Sequence, residues 1–334
     1  MNITNVLDEV KNEAVHKAIL KANSIIPWYE KIMVSVSGGS DSDIVMDIVQ
    51  KVRNDNQNID YVFFDTGLEY EATKRHLDYL ENRYSVSIKR VKAIKSIPLS
   101  CKEYGQPFLS KFVSDQIYAL QKYGFKFEDR PYEELIKEYP KCKSRIKWWC
   151  NEYKNRGYSI RNFKSLKEFL VNNPPTFRIS PKCCTYAKKM TSKKMFNECK
   201  YELEVLGVRK AEGGIRQMAY RTCFIEGKSG IPKFLPVFWL SDTDKKYYND
   251  FFKIINSDCY TKWGFDRTGC VGCPFGKFVL GNLEIVNKYE PKMFKACNNV
   301  FNDSYEYTRQ YRQFKKEMSA RDKAIKDGYT TLLL

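Results

Sequence analysis

One local pattern limits the fold more than any other: a short β-branched run that ends in two glycines and passes straight into a helix. Lys31–Ser37 reads Lys-Ile-Met-Val-Ser-Val-Ser, a buried strand bounded by Gly38-Gly39. Apolar residues at helical spacing follow over Ile44–Val52. Ser37-Gly38-Gly39-Ser40-Asp41-Ser42 is therefore a strand-to-helix loop. Paired glycines allow positive φ and let a ligand approach the backbone closely. Consecutive N–H groups in such a turn can form an anion-binding nest, and the helix that follows points its unsatisfied N–H groups and positive dipole end at the same spot. Ser40 and Ser42 add hydroxyl donors. The loop lacks the spacing and the lysine of a Walker A loop, so it would be a different phosphate cradle. A plain turn in which Ser or Asp only caps the helix fits the same residues.

The alternation continues. Asp60–Thr66 reads as a second strand ended by Gly67, Glu69–Tyr84 as a helix and Ser87–Val91 as a third strand. Strands alternating with helices predict an α/β fold: a doubly wound, mostly parallel sheet covered on both faces. From about Pro98 to Pro175 the pattern breaks into a basic, aromatic and mostly helical stretch without a clear strand, ended by Pro174-Pro175. Lys143–Tyr153 is its densest basic–aromatic patch. Strand signals return at Glu202–Val208 and Phe234–Leu240, a helix at Thr243–Asn256, a glycine- and cysteine-rich loop at Gly264–Gly276, and helix over Asn282–Lys326. The expected organisation is a nucleotide-binding domain over 1–97 and 176–280, a basic helical insertion over 98–175 and a helical C-terminal region over 281–334.

The formal net charge of +17 favours polyanionic partners such as nucleotides or nucleic acid, or it is a lysine-rich solvated surface. The 23 tyrosines place aromatic rings among the basic residues, an interleaving that suits stacking on unpaired bases. No apolar run reaches the roughly 18 residues needed to span a bilayer. Met1–Lys21 reads as a charged amphipathic helix without an export signal, so a cytoplasmic protein with no membrane partner is expected.

There are eleven cysteines and only two histidines, His16 and His76, so a soft-metal site would be built mainly from thiolates. Cys183-Cys184 are adjacent, and Cys270-Val271-Gly272-Cys273 is a C-x-x-C in a glycine-rich loop. Two close pairs suit tetrahedral zinc or an iron–sulfur cluster; packed small hydrophobes are the other reading.

These motifs resemble known families. Ser-Gly-Gly-x-Asp-Ser is similar to the signature of the PP-loop ATP pyrophosphatase superfamily, whose fold is adenine nucleotide alpha-hydrolase-like. There the loop holds phosphates of ATP or of a sulfated adenine nucleotide. The ordered set from about Met33 to Gly276, without the insertion, resembles the phosphoadenosine/adenosine phosphosulfate reductases. Asp65-Thr66-Gly67-Leu68-Glu69 resembles their Asp-Thr-Gly loop near the nucleotide, and Lys182–Lys189 their Cys-Cys segment. Gly207-Val208-Arg209, with Glu212 and Arg216, resembles the Gly-x-Arg segment at the anionic end of the substrate, and Pro236–Trp239 the later Pro-x-x-Trp. Adenylyl-sulfate reductases hold a [4Fe-4S] cluster with Cys-Cys and, roughly eighty residues later, Cys-x-x-Cys. The resemblance therefore implies Cys183, Cys184, Cys270 and Cys273 as cluster ligands, with zinc as the alternative.

The family's nucleophilic cysteine lies in a Glu-Cys-Gly-like motif on a C-terminal tail. This sequence ends Asp327–Leu334, and its last cysteine, Cys297, falls in a predicted helix, where it is expected to be packed. The DNA phosphorothioation proteins resemble the reductases, and transfer-RNA thiolating enzymes share the loop. Three functions fit these resemblances. The first is ATP-dependent sulfur chemistry, on nucleic acid (DNA or RNA), in which ATP adenylates an oxygen and a sulfur donor displaces AMP. Arg209, Arg216 and Lys188 would then surround the reacting phosphate. Magnesium would bridge the phosphates, with Asp41 and Asp65 as contacts. The second is reduction of a (phospho)adenylyl sulfate by a thiol reductant protein. The third is a non-catalytic nucleotide or nucleic-acid binding module with structural zinc.

Overall fold

In a computed structural model the described residues are 3–154, 156–163, 165–213, 219–226 and 230–326. They form two compact units. The first runs to Ser96 and resumes over Ala187–Val271; the second comprises Ile97–Tyr186 and the chain from Gly272 onward.

The first unit is the α/β body. Its strands are β1 (Lys31–Ser35), β2 (Asn58–Asp65), β3 (Ile88–Lys92), β4 (Leu203–Leu206), β5 (Phe224–Ile225) and β6 (Lys233–Phe234). They lie in the order β3-β2-β1-β4-β6-β5. All neighbours are parallel except β5 and β6, which run antiparallel. The central strand β1 pairs Ile32 with Ile59 on one side and with Leu203 on the other. Ile32, Met33 and Val34 are wholly buried, as a strand covered on both faces requires. The strand order reverses direction at β1, so the loop after it lies at a topological switch point, where ligands of open α/β sheets bind.

Helices α1 (Ile3–Glu9), α2 (Glu13–Ile25), α3 (Ser40–Val52) and α4 (Glu71–Tyr84) belong to this unit. Asn12 caps α2 by accepting from the Val15 N–H at 2.9 Å. In α3, Ile44, Val45, Ile48, Val49 and Val52 are buried and join Val15, Ile19, Val34, Leu203 and Phe234 in the main core.

The predicted strand Phe234–Leu240 is only Lys233–Phe234. Leu235, Val237, Phe238 and Leu240 are buried, but in successive turns in which Phe238 and Leu240 bond back to Leu235 and Val237. Pro236 has no N–H for a ladder, so an apolar run that reads as a strand packs as turns. Strand β5 carried no sequence signal. Thr185–Met190, which holds Lys188, is a π-helical stretch that periodicity did not predict.

The second unit is helical, with Lys111–Lys122, Tyr132–Glu138, Lys143–Trp149 and Leu166–Asn172 packed around an aromatic core. Tyr307 and Tyr311 of the long helix Pro291–Lys326 complete it. The tryptophans of Lys143–Tyr153, the densest basic–aromatic patch, are not available at the surface. Trp148 and Trp149 are 1% and 0% exposed, and the Trp149 indole N–H donates to the Glu128 carbonyl at 2.8 Å. These rings are core, while Lys143 of the same helix is exposed and Arg145 and Lys147 are half-buried. Trp149→Ala is expected to cost about 3–5 kcal/mol of unfolding free energy, and Tyr158→Ala, whose ring is 45% exposed, less than about 1 kcal/mol. Urea denaturation of both variants checks this. Comparable losses would contradict the assignment.

Candidate functional site

The loop Ser37–Ser42 is pinned from three sides. Gly38 has φ +63°, and a Cβ there would stand 2.8 Å from Cγ2 of Thr73 on α4. Both backbone and neighbour demand glycine. The Ser42 hydroxyl donates to the Gly39 carbonyl at 2.7 Å and accepts from the N–H groups of Ser37 and Gly39, both at 3.2 Å. Gly207, at the end of β4, comes so close that a Cβ would lie 3.0 Å from both Cα and N of Ser42. The start of α3 is thus clamped between α4 and the β4 exit.

A cavity of about 430 Å³ opens against this loop. It brings together six of the sequence-predicted residues: Ser37, Gly39, Asp41, Ser42, Lys188 and Arg209. Ser40 borders a second, open hollow instead, and its hydroxyl donates to Asn256 at 3.0 Å. Gly38, Asp65, Thr66 and Gly67 do not line the cavity. Asp65 accepts from the Gly67 N–H at 2.9 Å, and buried Thr66 donates to Glu69 at 2.5 Å and to the Cys270 sulfur at 3.6 Å. Arg216 lies outside the described residues.

The lining also contains groups that sequence reasoning missed: Glu69, Glu212, Lys245, Tyr260, Arg267 and Thr268. Glu69 and Glu212 were noted only as parts of family motifs, and the other four carry no local signal. Asp41 meets Arg209 Nε and Lys245 Nζ, each at 2.9 Å. Burial pushes the Asp41 carboxyl up, but Lys245, a hydrogen bond with Glu212 and Arg209 outweigh it and hold Asp41 below its usual range. Arg209 is 6% exposed and also binds Asp242 at 2.9 Å and the Leu240 carbonyl at 3.3 Å. Burial disfavours its charge, and the Asp41 and Asp242 carboxylates more than restore it. Arg209 therefore organises the loop through Asp41, while Lys188 and Lys245 bring positive charge to the cavity wall.

The cysteines divide between the units. Cys270 belongs to the first, beside Thr66; Cys183, Cys184 and Cys273 belong to the second. There the Cys183 thiol bonds to Cys101 and to Cys184, with Cys273 close by, and the bond to Cys101 leads in holding it protonated. Cys101 was not among the expected sulfurs, since no local motif marks it. The thiol donors suit a thiophilic metal or iron–sulfur group chemically, yet among the described residues no three His, Cys, Asp or Glu side chains stand arranged to hold an ion. Cys297 is wholly buried, donates to the Phe294 carbonyl at 3.2 Å and is raised by burial, so it is the packed thiol expected from its helix. Among the described residues no helix is long and apolar enough to cross a membrane.

Glu69 supplies a pH test of this wall. Burial raises its carboxyl above the ordinary range, and Lys188 and the bonds from Thr66 offset this only in part. A raised carboxyl supports the folded state while protonated and loses that support as pH rises through its folded-state value. Glu69→Gln keeps an oxygen for Thr66 and removes the charge. Its thermal midpoint should exceed that of the unaltered chain at about pH 8, with the gap closing toward about pH 4. A gap that widens in acid would contradict the burial argument.

Residues 31–144 match the sequence model of the phosphoadenosine phosphosulfate reductase domain. An uncharacterized protein of Methanocaldococcus jannaschii is 26% identical over 285 residues, which is 82% of this chain. The chain spans only 43% of that relative's length. Among solved structures, the phosphoadenylyl-sulfate reductase of Candida auris is similar at a TM-score of 0.41 and 12% identity, over 80% of this chain and 93% of that one. The U34-tRNA thiolase of Methanococcus maripaludis, solved with its [4Fe-4S] cluster, gives 0.38 and 11%, over 92% and 81%. Both likenesses are loose. The domain match runs from β1 through the loop, β2 and β3, so it is this stretch of the chain that is similar to the phosphoadenosine phosphosulfate reductase domain.

Proposed function

We propose that the chain binds an adenine nucleotide with its phosphates on Ser37–Ser42 and cleaves ATP between the α and β phosphates in a sulfur-transfer reaction. The observation that carries this reading is the pinned loop at the start of α3, open to a cavity that Lys188, Lys245 and Arg267 share. An acceptor oxygen attacks the α-phosphorus, pyrophosphate leaves with the bridging electron pair, and a sulfur donor then displaces AMP from the acceptor. The helix N-terminus and the lysines stabilise the charge that gathers on the departing pyrophosphate. Magnesium enters with the nucleotide. Asp41 and Asp65 are the proposed contacts for it; Asp41 lines the cavity but is already held by two cations, and Asp65 lies outside the lining. Arg216 completes the expected set.

Nucleic acid is the proposed acceptor. The second unit holds 28 lysines and arginines against 16 aspartates and glutamates, whereas the first holds 29 against 24. The excess suits a polyanion. An iron–sulfur cluster on Cys183, Cys184, Cys270 and Cys273, or zinc in its place, belongs to this proposal as a bound group, and iron, sulfide and zinc contents after anaerobic purification test it. The steps above pass through first-unit residues alone. A sulfated adenylate is the second ligand reading, favoured by the domain match.

Incubation of the whole chain with ATP, magnesium and DNA or RNA should release pyrophosphate, and Lys245→Ala should slow release at least about tenfold. Sulfite release from a sulfated adenylate with a thiol reductant, and no pyrophosphate from ATP, would favour the reductase instead. Tight nucleotide binding without turnover of either substrate would leave a binding module.

A further inference from the structure

We propose that the Tyr260 hydroxyl holds the place of a phosphate oxygen at the start of α3 and gives it up when the nucleotide binds, so that Tyr260 sets the anion affinity and selectivity of the loop. The inference rests on the reading of the loop as a phosphate site.

Tyr260 lies on the short helix Asp258–Thr261 of the first unit. Its hydroxyl accepts from the Ser40 backbone N–H, one of the first donors of α3. It also accepts from the Thr268 N–H at 3.2 Å and shares a bond with the Thr268 hydroxyl at 3.0 Å. A Cβ on Gly39 would stand 3.2 Å from the same hydroxyl and 3.2 Å from the Thr268 oxygen, so the phenol sits directly against the glycine turn. Donors at a helix start have no partner within the helix and must find one. A neutral phenol oxygen satisfies them less well than an anionic phosphate oxygen, because bonds to an ionised acceptor are shorter and about twice as strong. Lys245, whose Nζ is 5.9 Å from the ring centroid, adds positive charge on the same side.

The ring has somewhere to go. Tyr260 lines the cavity against the loop and also the second hollow of about 670 Å³, bordered by Asn249, Asn256 and Phe265. A swing toward that hollow frees the Ser40 and Thr268 N–H groups together. An uncharged adenosine compound gains nothing from this exchange, whereas a phosphate recovers both N–H donors. The contact therefore discriminates by charge at the price of one hydrogen bond set.

Titration calorimetry of the whole chain with magnesium pyrophosphate, AMP and adenosine tests this. Tyr260→Phe removes the competing oxygen and keeps the ring. It should tighten pyrophosphate and AMP binding roughly three- to tenfold and leave adenosine unchanged. Thr268→Val, which loosens the hold on the phenol, should shift pyrophosphate in the same direction by less. Pyrophosphate binding that Tyr260→Phe leaves equal or weakens overturns the proposal while the phosphate site stands. Pyrophosphate binding to neither the unaltered chain nor Tyr260→Phe overturns the phosphate site, and this inference with it.

Discussion

The site depends on how closely three backbone segments meet at the first turn of α3. Gly38 turns with positive φ against Thr73, Gly207 brings the end of β4 to van der Waals distance from Ser42, and the Ser42 hydroxyl ties the turn to itself. Each of these positions tolerates little beyond what it has. A methyl group at either glycine would push α3 away from the sheet, and the first-turn N–H groups would lose their common direction. Rigid backbone donors of this kind are worth more to a charged ligand than mobile side chains, because no reorganisation is needed when the ligand arrives.

Charge is laid over that frame in an economical way. Arg209 is buried and committed to Asp41, Asp242 and the Leu240 carbonyl, so it fixes the loop rather than reaching for a ligand. Asp41 in turn is kept ionised by Lys245 and Arg209. The result is a loop whose own carboxylate is neutralised, in a wall where Arg267 faces Glu212 at 3.5 Å and Lys188 stands beside Glu69. Beneath it, α3 carries a second polar layer: Asp43 binds His76 at 2.8 Å, and Asn256 links Asp43 to Ser40. The loop is therefore anchored to the interior by hydrogen bonds as well as by packing.

Much of the first unit could be read from local signals. The run Lys31–Ser37, the glycines and the periodic helix after them announce themselves because each depends on residues close in sequence. The segments that complete the site do not. Lys245 and Tyr260 come from stretches with no motif and Thr268 from the glycine- and cysteine-rich loop, and contacts between segments far apart in sequence bring them to the turn. Phe234–Leu240 reads as a strand, whereas burial packs Leu235–Leu240 as turns, and burial against distant partners likewise takes the Trp148 and Trp149 rings of the basic–aromatic patch into the core. The proximity of Cys101 to Cys183 is likewise tertiary, since a helix ending at Tyr104 and the Cys183-Cys184 turn lie far apart in sequence.

The most direct measurement is a titration of the chain, labelled with nitrogen-15 at glycine and serine, with magnesium ATP, followed through its amide resonances. If the phosphates rest on the start of α3, the signals of Gly39 and Ser40 should move first and furthest, with Ser42 and Gly207 following. Shifts that leave Gly38–Ser42 untouched and appear elsewhere in the chain would contradict the account at its root.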